Sequence, residues 1–200
     1  MIMNYYLVHI FLTKKIILNF LFSTIFCDIM LLLLEEGEKT QMEEKVINIL
    51  REQKETVSCM ESCTGGMLAS TLTNVSGSSD VLQVSLVTYS NHFKEKFGVP
   101  HEVIEKHSVY SIETAREMAK HVSCFANSTW GIGITGQIGR IDPQNKGQQI
   151  NTIYFSIYQA EQEKYWDTIL QVEEQKTRKE NKEKTVEKVL EQFYQVLKEG

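Results

Sequence analysis

The stretch TVSCMESCTGG, residues 56–66, decides the fold of this chain. Its first five residues, Thr56 to Met60, favour a β-strand, and this strand stops at a small polar turn. The turn opens a predicted helix that runs from about Met67 to Leu72. In open α/β sheets, ligands bind just outside the carboxyl ends of the strands. We therefore expect Ser62 to lie where such a sheet holds its ligand.

The backbone of this turn is suited to bind negative charge. The first N–H groups of a helix have no partner within the helix, so they can receive an anion or an oxyanion. Gly65 and Gly66 have no side chains and let a substrate approach the backbone closely. Farther along the chain, Tyr89 and Lys94 offer two groups that can carry a proton.

Helices and strands alternate through the rest of the chain. Apolar patterning predicts further strands at 81–89, 130–134, 151–158 and 165–172. It predicts further helices at 42–53, 91–97, 100–106, behind the N-cap Ser111, and over 186–197. The short link between the last two strands predicts an antiparallel hairpin. We expect an α/β fold: a single three-layer α/β/α domain with a mostly parallel sheet and an antiparallel edge hairpin.

Composition places the chain among ordinary globular proteins. Its 200 residues suit one domain, and 42% of them are hydrophobic and 24% charged. The formal net charge of −5 argues against a general nucleic-acid surface. An anionic substrate would therefore be bound locally, by backbone N–H groups and one or two basic side chains. The highly charged segment 173–183 is expected to be solvated.

The four cysteines match no zinc-ligand spacing, so no metal site is expected. Reduced, structural thiols are typical of a cytosolic protein, and a cytoplasmic location is expected. Cys59 falls in a predicted buried strand. Cys124 falls on the apolar side of the helix behind Ser111, and the predicted buried repeat of that helix extends to Phe125.

The first forty residues have a different composition from the rest. Residues 16–34 are almost continuously apolar and follow Lys14 and Lys15. About 20 apolar residues can cross a bilayer, so this segment is a candidate membrane anchor, although Asp28 would be costly in lipid. Alternatively, translation begins at Met30 or Met42 and the upstream residues are not made. A membrane is a partner only if the segment is a real anchor.

Four motifs carry a resemblance to a known family. In chain order they are MESCTGG at 60–66, VSGSS at 75–79, VTYSNxxK at 87–94 and GITG at 133–136. In order and spacing they resemble the CinA C-terminal domain family, which includes the PncC-type nicotinamide mononucleotide (NMN) amidohydrolases. The resemblance implies the same three-layer architecture. It divides the chain into a hydrophobic N-terminal extension, residues 1–41, and a CinA C-terminal-like amidohydrolase domain, residues 42–200.

The resemblance also implies a mechanism. Serine and lysine at the positions of Ser62 and Lys94 form the family's catalytic pair, and a tyrosine at the position of Tyr89 assists them. If the strand that ends at Tyr89 runs parallel to the first strand, both segments meet at one sheet edge. Ser62 would attack the carboxamide of a nucleotide substrate, and the backbone N–H groups of Thr64 and Gly65 would stabilise the oxyanion. No metal and no cofactor is required.

Further residues are assigned to substrate binding by resemblance and by their positions at strand ends. These are Glu61, Thr64, Gly65, Gly66, Asn91, Thr135, Gly136 and Arg140. Several have a plainer alternative. Ser62 could simply cap a helix, Glu61 could be a helix N-terminal charge, Tyr89 could fill a core edge, and Thr135-Gly136 could be a strand-ending turn. Arg140 could clamp a phosphate or be a surface charge.

The loop after Gly136 departs from the family pattern. The family has Thr-Gly-x-Ala-Gly-Pro here, whereas this chain has Gln137, Ile138, Gly139 and Arg140 after Gly136. Two hypotheses follow for the function. The first is metal-independent NMN amidohydrolysis, or amidase action on a related small amide. The alternative is a non-catalytic nucleotide-binding or regulatory homologue of the same fold. A homo-oligomer is expected in either case.

Overall fold

The structure is a computed structural model that describes residues 41–140, 142–143 and 149–199. The described part contains five strands: β1 (Val57–Glu61), β2 (Leu82–Val87), β3 (Trp130–Gly136), β4 (Thr152–Gln159) and β5 (Lys164–Gln171). It contains six α-helices: α1 (Met42–Gln53), α2 (Met67–Thr73), α3 (Asn91–Lys96), α4 (His101–His107), α5 (Ile112–Ala126) and α6 (Arg178–Glu199). A short 3-10 helix covers Ser78–Asp80.

The five strands form one open mixed sheet in the order β2-β1-β3-β4-β5. β1 is parallel to both of its neighbours, β2 and β3. β4 runs antiparallel to β3 and to β5, so the sheet ends in the expected hairpin. Because β1, β2 and β3 share one direction, their carboxyl ends lie at the same edge of the sheet.

Successive side chains of a strand point to opposite faces of the sheet, and an apolar layer lies on each face. On one face, alternate residues of β1, β3 and β4 pack against α1, α2 and α6. On the other face, Met60 packs with Met118 and Val122 of α5 and with Ile104 of α4. The fold is therefore the three-layer α/β arrangement that the sequence predicted.

Two glycines let α5 lie directly on β3. A Cβ atom at Gly131 would lie 2.0 Å from the backbone oxygen of Ala119, and one at Gly133 would lie 2.1 Å from that of Ala115. Both distances are far inside van der Waals contact. The helix backbone thus occupies the space that side chains fill elsewhere on the sheet, which fixes the height of α5 above β3.

The structure corrects two expectations about burial and refines a third. Cys124 and Phe125 are exposed, because the buried stripe of α5 ends at Val122 and Ser123. The charged segment 173–183 is mostly exposed, as expected, and the last helix, α6, already begins within it at Arg178. Within it, Asn181 is buried and its side chain donates a hydrogen bond to the backbone oxygen of Glu173.

The candidate membrane anchor at residues 16–34 lies outside the described residues, so the structure says nothing about it. Within the described residues, no helix combines the length and the apolar character that a membrane crossing needs.

Candidate active site

The parallel pairing of β1 and β2 brings Ser62 and Lys94 together. Glu61, the last residue of β1, pairs with Val87, the last residue of β2. Ser62 therefore leaves the sheet beside the segment that leads from β2 into α3. Lys94 lies on α3, and its Nζ is 3.1 Å from the Ser62 Oγ. These two segments were expected to meet if the first two strands run parallel, and in the structure they do.

Lys94 is held in an environment that favours its neutral form. Its side chain is only 1% exposed, and burial lowers its pKa from 10.5 to about 8. Its Nζ also donates a hydrogen bond of 2.8 Å to the backbone oxygen of Thr88. A neutral amine that donates to Thr88 still has a lone pair, which can accept the hydroxyl hydrogen of Ser62. The pair is thus arranged as a nucleophile and its general base.

Glu61 builds the turn that presents Ser62. The Glu61 side chain is fully buried, and its carboxylate accepts hydrogen bonds from the backbone N–H groups of Gly66, Leu68 and Ala69, at 3.1, 3.2 and 3.0 Å. These are the donors at the start of α2 that a helix leaves unpaired. Glu61 is not among the residues that line the cleft, and its hydrogen bonds hold the turn and the start of α2 from beneath.

The two glycines of the turn allow its backbone conformation. Gly65 and Gly66 have φ angles of +64° and +89°, in the left-handed region where a side chain would be strained. The Gly65 N–H donates to the backbone oxygen of Ser62 at 3.1 Å, and the Gly66 N–H donates to Glu61. The Gly65 N–H, which the sequence analysis assigned to an oxyanion, thus has an acceptor within the turn in this structure.

A cleft of about 300 Å³ opens over the Ser62–Lys94 pair, at the small end of the usual range for ligand pockets. Six of the predicted site residues line it: Ser62, Tyr89, Asn91, Lys94, Gly136 and Arg140. The other five predicted site residues, Glu61, Thr64, Gly65, Gly66 and Thr135, are not among its lining residues. Thr135 is buried, and its hydroxyl donates to the backbone oxygen of Val109 at 2.8 Å. These five residues lie behind the lining of the cleft, and their assignment to substrate binding stays a prediction.

Tyr89 lies at the rim of the cleft. It is 65% exposed, and its hydroxyl accepts a hydrogen bond of 3.1 Å from the Arg178 guanidinium. The same guanidinium donates to the backbone oxygen of Ile138. Arg178 thereby joins the segment after β2 to the loop after β3. The Tyr89 hydroxyl has no hydrogen bond with Ser62 or Lys94 among the described residues.

The predicted site residues did not include several polar residues that line the cleft, among them Tyr110, Gln137, Asp142 and Arg178. The Tyr110 hydroxyl donates to the Asp142 carboxylate at 2.8 Å. No local pattern indicates these residues, because they come from three separate segments of the chain. Arg178 lies in a charged run of the sequence. A helix start at that residue is the one local signal that could have drawn attention to it.

The thiol beside Ser62 is a poorer candidate nucleophile than the Ser62 hydroxyl. Cys63 is buried and lines the cleft. Burial raises its pKa to about 12, although the positive charges of Lys94 and Arg178 oppose the rise. A thiol with this pKa stays protonated at neutral pH, whereas the nucleophilic form is the thiolate. The oxygen of Ser62 is therefore the nucleophile that the geometry favours.

The family model of the CinA C-terminal domain matches residues 39–197. The chain belongs to this family. A relative from Clostridium perfringens strain SM101, named "Putative competence-damage inducible protein", is 50% identical over 105 residues, which are 52% of this chain and 25% of that protein. A "CinA-like protein" from Desulforapulum autotrophicum is 44% identical over 103 residues, 51% of this chain and 24% of that protein. The matched part thus spans about a quarter of the length of these relatives.

Solved structures share the fold of this CinA-family domain. A CinA superfamily protein from Klebsiella pneumoniae has a TM-score of 0.73 at 20% identity, covering 80% of this chain and 97% of that chain. The competence/damage inducible protein CihA from Agrobacterium tumefaciens has a TM-score of 0.70 at 26% identity, covering 78% of this chain and 95% of that chain. The α/β architecture of the described residues is therefore that of the CinA superfamily.

Proposed function

We propose that this CinA-family domain hydrolyses the carboxamide of NMN, giving nicotinic acid mononucleotide and ammonia. The observation that carries the proposal is the contact of 3.1 Å between the Ser62 Oγ and the Nζ of the buried Lys94. A primary hydroxyl becomes a useful nucleophile only beside a base. Lys94, with a pKa of about 8, is neutral in about one molecule in ten at pH 7.

The proposed reaction has two stages. Lys94 takes the hydroxyl proton as the Ser62 Oγ attacks the carboxamide carbon. The tetrahedral intermediate then expels ammonia, which carries away the proton held by Lys94, and leaves an ester on Ser62. Lys94 next activates a water, which attacks the ester and releases the carboxylic acid and the free hydroxyl. The overall change consumes one water for each ammonia released.

Two arginines of the cleft can bind an anionic substrate. Arg140 and Arg178 both line the cleft. A guanidinium binds phosphate oxygens with paired N–H donors, so either side chain can hold the phosphate of a nucleotide. The local positive charge fits the sequence expectation that this acidic protein binds an anion with few basic groups. We also propose that the protein is cytoplasmic and forms a homo-oligomer.

The loop after β3 favours a second candidate function. Ile138 lines the cleft and is buried, and it stands where the family has alanine. The extra bulk beside the substrate suits a homologue that binds a nucleotide but does not turn it over. Such a protein would be stabilised against heat by NMN and would release no ammonia.

The deciding experiment measures ammonia and nicotinic acid mononucleotide after incubation of the purified chain with NMN. Under the proposal, wild type forms both in equal amounts, and Ser62→Ala and Lys94→Met each lose at least about a thousandfold in kcat/KM. Lys96→Met is the matched control, because Lys96 is exposed on the same helix. It should keep wild-type activity. NMN binding to wild type without ammonia release would support the second candidate instead.

A further inference from the structure

The Gln137 side chain is buried in the cleft without a hydrogen-bond partner. It is 4% exposed and lines the same pocket as Ser62 and Lys94. Neither its amide nitrogen nor its amide oxygen has a hydrogen bond among the described residues. A buried polar group normally has at least one partner, and an orphan group destabilises the fold. Gln137 carries two such groups at once.

The surroundings hold Gln137 in place but do not satisfy its side chain. Its backbone N–H donates to the backbone oxygen of Thr152 at 3.1 Å, which fixes the residue at the end of β3. The nearby Tyr110 hydroxyl donates its hydrogen to Asp142, so it has none left to donate to the Gln137 oxygen. An amide N–H of Gln137 lies close enough to the Tyr110 oxygen to oppose the rise in the pKa of Tyr110 that burial and Asp142 cause. The amide oxygen and one of the two amide hydrogens of Gln137 therefore remain available to a ligand.

We propose that Gln137 recognises the reacting carboxamide of the substrate and selects it over the carboxylate product. Its Nε2 donates to the carbonyl oxygen, and its Oε1 accepts an N–H of the substrate amide. A primary carboxamide is the group that offers an acceptor and a donor side by side. A carboxylate offers acceptors only, so it would leave the Gln137 oxygen facing a negative charge. This inference rests on the proposed function, whose substrate it specifies.

The same contact is expected to help the reaction. The carbonyl oxygen gains negative charge when Ser62 attacks, so a donor from Gln137 is stronger in the transition state than in the ground state. The N–H of Gly65, which the sequence suggested for this work, is held within its own turn. Because the paired amides lie in one plane, the face of the substrate carbon stays open to the serine oxygen.

The test uses the full chain with Gln137→Met, which keeps the length of the side chain and removes both hydrogen-bonding groups. We expect kcat/KM for NMN to fall about ten- to a hundredfold. In a Ser62→Ala background, which prevents turnover, the preference for binding NMN over nicotinic acid mononucleotide should fall by a similar factor. Gln175→Met is the matched control, because Gln175 is exposed in the loop before α6, and it should change neither value.

A second readout separates recognition from a structural role. Because the amide is unpartnered, Gln137→Met should keep or raise the melting temperature of the ligand-free protein. A drop in melting temperature would show that Gln137 holds the fold, and unchanged selectivity would show that it holds only a water; either result overturns the inference. Gln137→Glu should weaken product binding further than Gln137→Met does.

The two proposals fail in different ways. If wild type releases no ammonia, the amidohydrolase proposal fails, while the binding preference in the Ser62→Ala background still tests Gln137. If wild type is active and Gln137→Met keeps both its rate and its preference for the amide, only the inference about Gln137 fails.

Discussion

At the scale of single residues, Lys94 explains how an amine becomes a base in this protein. Its burial lowers its pKa because a charged ammonium loses its hydration, and the hydrogen bonds to Thr88 and Ser62 replace only part of that hydration. The burial of Lys94 destabilises the fold, but it also makes the amine available as a base. A lysine on the exposed face of α3 would stay protonated and could not activate Ser62.

The pKa of Lys94 predicts two pH dependences with defined signs. First, kcat/KM should rise about tenfold per pH unit below pH 8 and level off above it, as Lys94 loses its proton. Second, between pH 8 and about 10.5 the unfolded chain holds a proton that the folded chain has lost, so the free energy of unfolding should rise with pH.

The stability effect can be isolated with the variant Lys94→Met. The fall in pKa from 10.5 to about 8 corresponds to about 3 kcal/mol of unfolding free energy. The stability of Lys94→Met relative to wild type should therefore be highest below pH 8 and fall by up to about 3 kcal/mol by pH 10.5. Denaturant unfolding at several pH values measures this difference. A pH-independent difference would contradict a depressed pKa.

At the scale of secondary-structure elements, the contact of α5 with β3 determines how the layers fit. Gly131 and Gly133 face the helix, and its carbonyl oxygens occupy the space of their missing side chains. β3 also ends at Gly136, which lines the cleft. A shift of β3 against α5 would therefore displace a wall of the candidate site.

We predict that Gly133→Ala destabilises the protein by about 3 kcal/mol or more, because its Cβ would meet backbone atoms of Ala115 and Ala119 at 2.1 and 2.6 Å. For a domain of this size that is a fall in melting temperature of at least about 6 °C. Gly139→Ala is the comparison. Its φ of +83° strains a side chain, but no described atom lies within 4 Å of its Cβ, so its loss should be about 1 kcal/mol. Equal melting temperatures for the two variants would refute the steric account.

At the scale of the whole domain, the site is closed by residues from both ends of the described sequence. Ser62 follows the first strand, whereas Arg178 is the first residue of the last helix. α6 packs beside α1 and α2 on one face of the sheet, and this packing brings Arg178 to Tyr89 and to the loop after β3. The polar lining of the cleft depends on this long-range packing.

We predict that Arg178→Met raises KM for NMN about tenfold or more, because it removes a guanidinium from the cleft and frees Tyr89. The effect should be much smaller for nicotinamide riboside, which lacks the phosphate. Lys179→Met, at an exposed neighbouring position on α6, is the control and should leave both KM values unchanged. A similar loss for both substrates would mean that Arg178 positions the loop and does not bind the phosphate.

The sequence by itself determined the succession of strands and helices. These features are local, since neighbouring residues mark where a strand ends at a glycine turn and where a helix starts at a cap. The pairing of Ser62 with Lys94 was expected from the family resemblance, on the condition that the first two strands run parallel. Two parallel strands then bring their carboxyl ends together by geometry alone. The expected mostly parallel sheet with an antiparallel edge hairpin was confirmed, because the alternation of strands and helices and the short link before β5 are also local features.

Only the tertiary structure decided which groups face the cleft. Glu61, Gly65 and Gly66 looked like binding residues because they adjoin Ser62, but their hydrogen-bonding groups are used to build the turn. Gln137 and Arg178 looked ordinary, yet packing places both in the lining of the cleft that holds Ser62. Whether a polar group is free for a ligand depends on which partners reach it, and those partners come from segments distant in the chain.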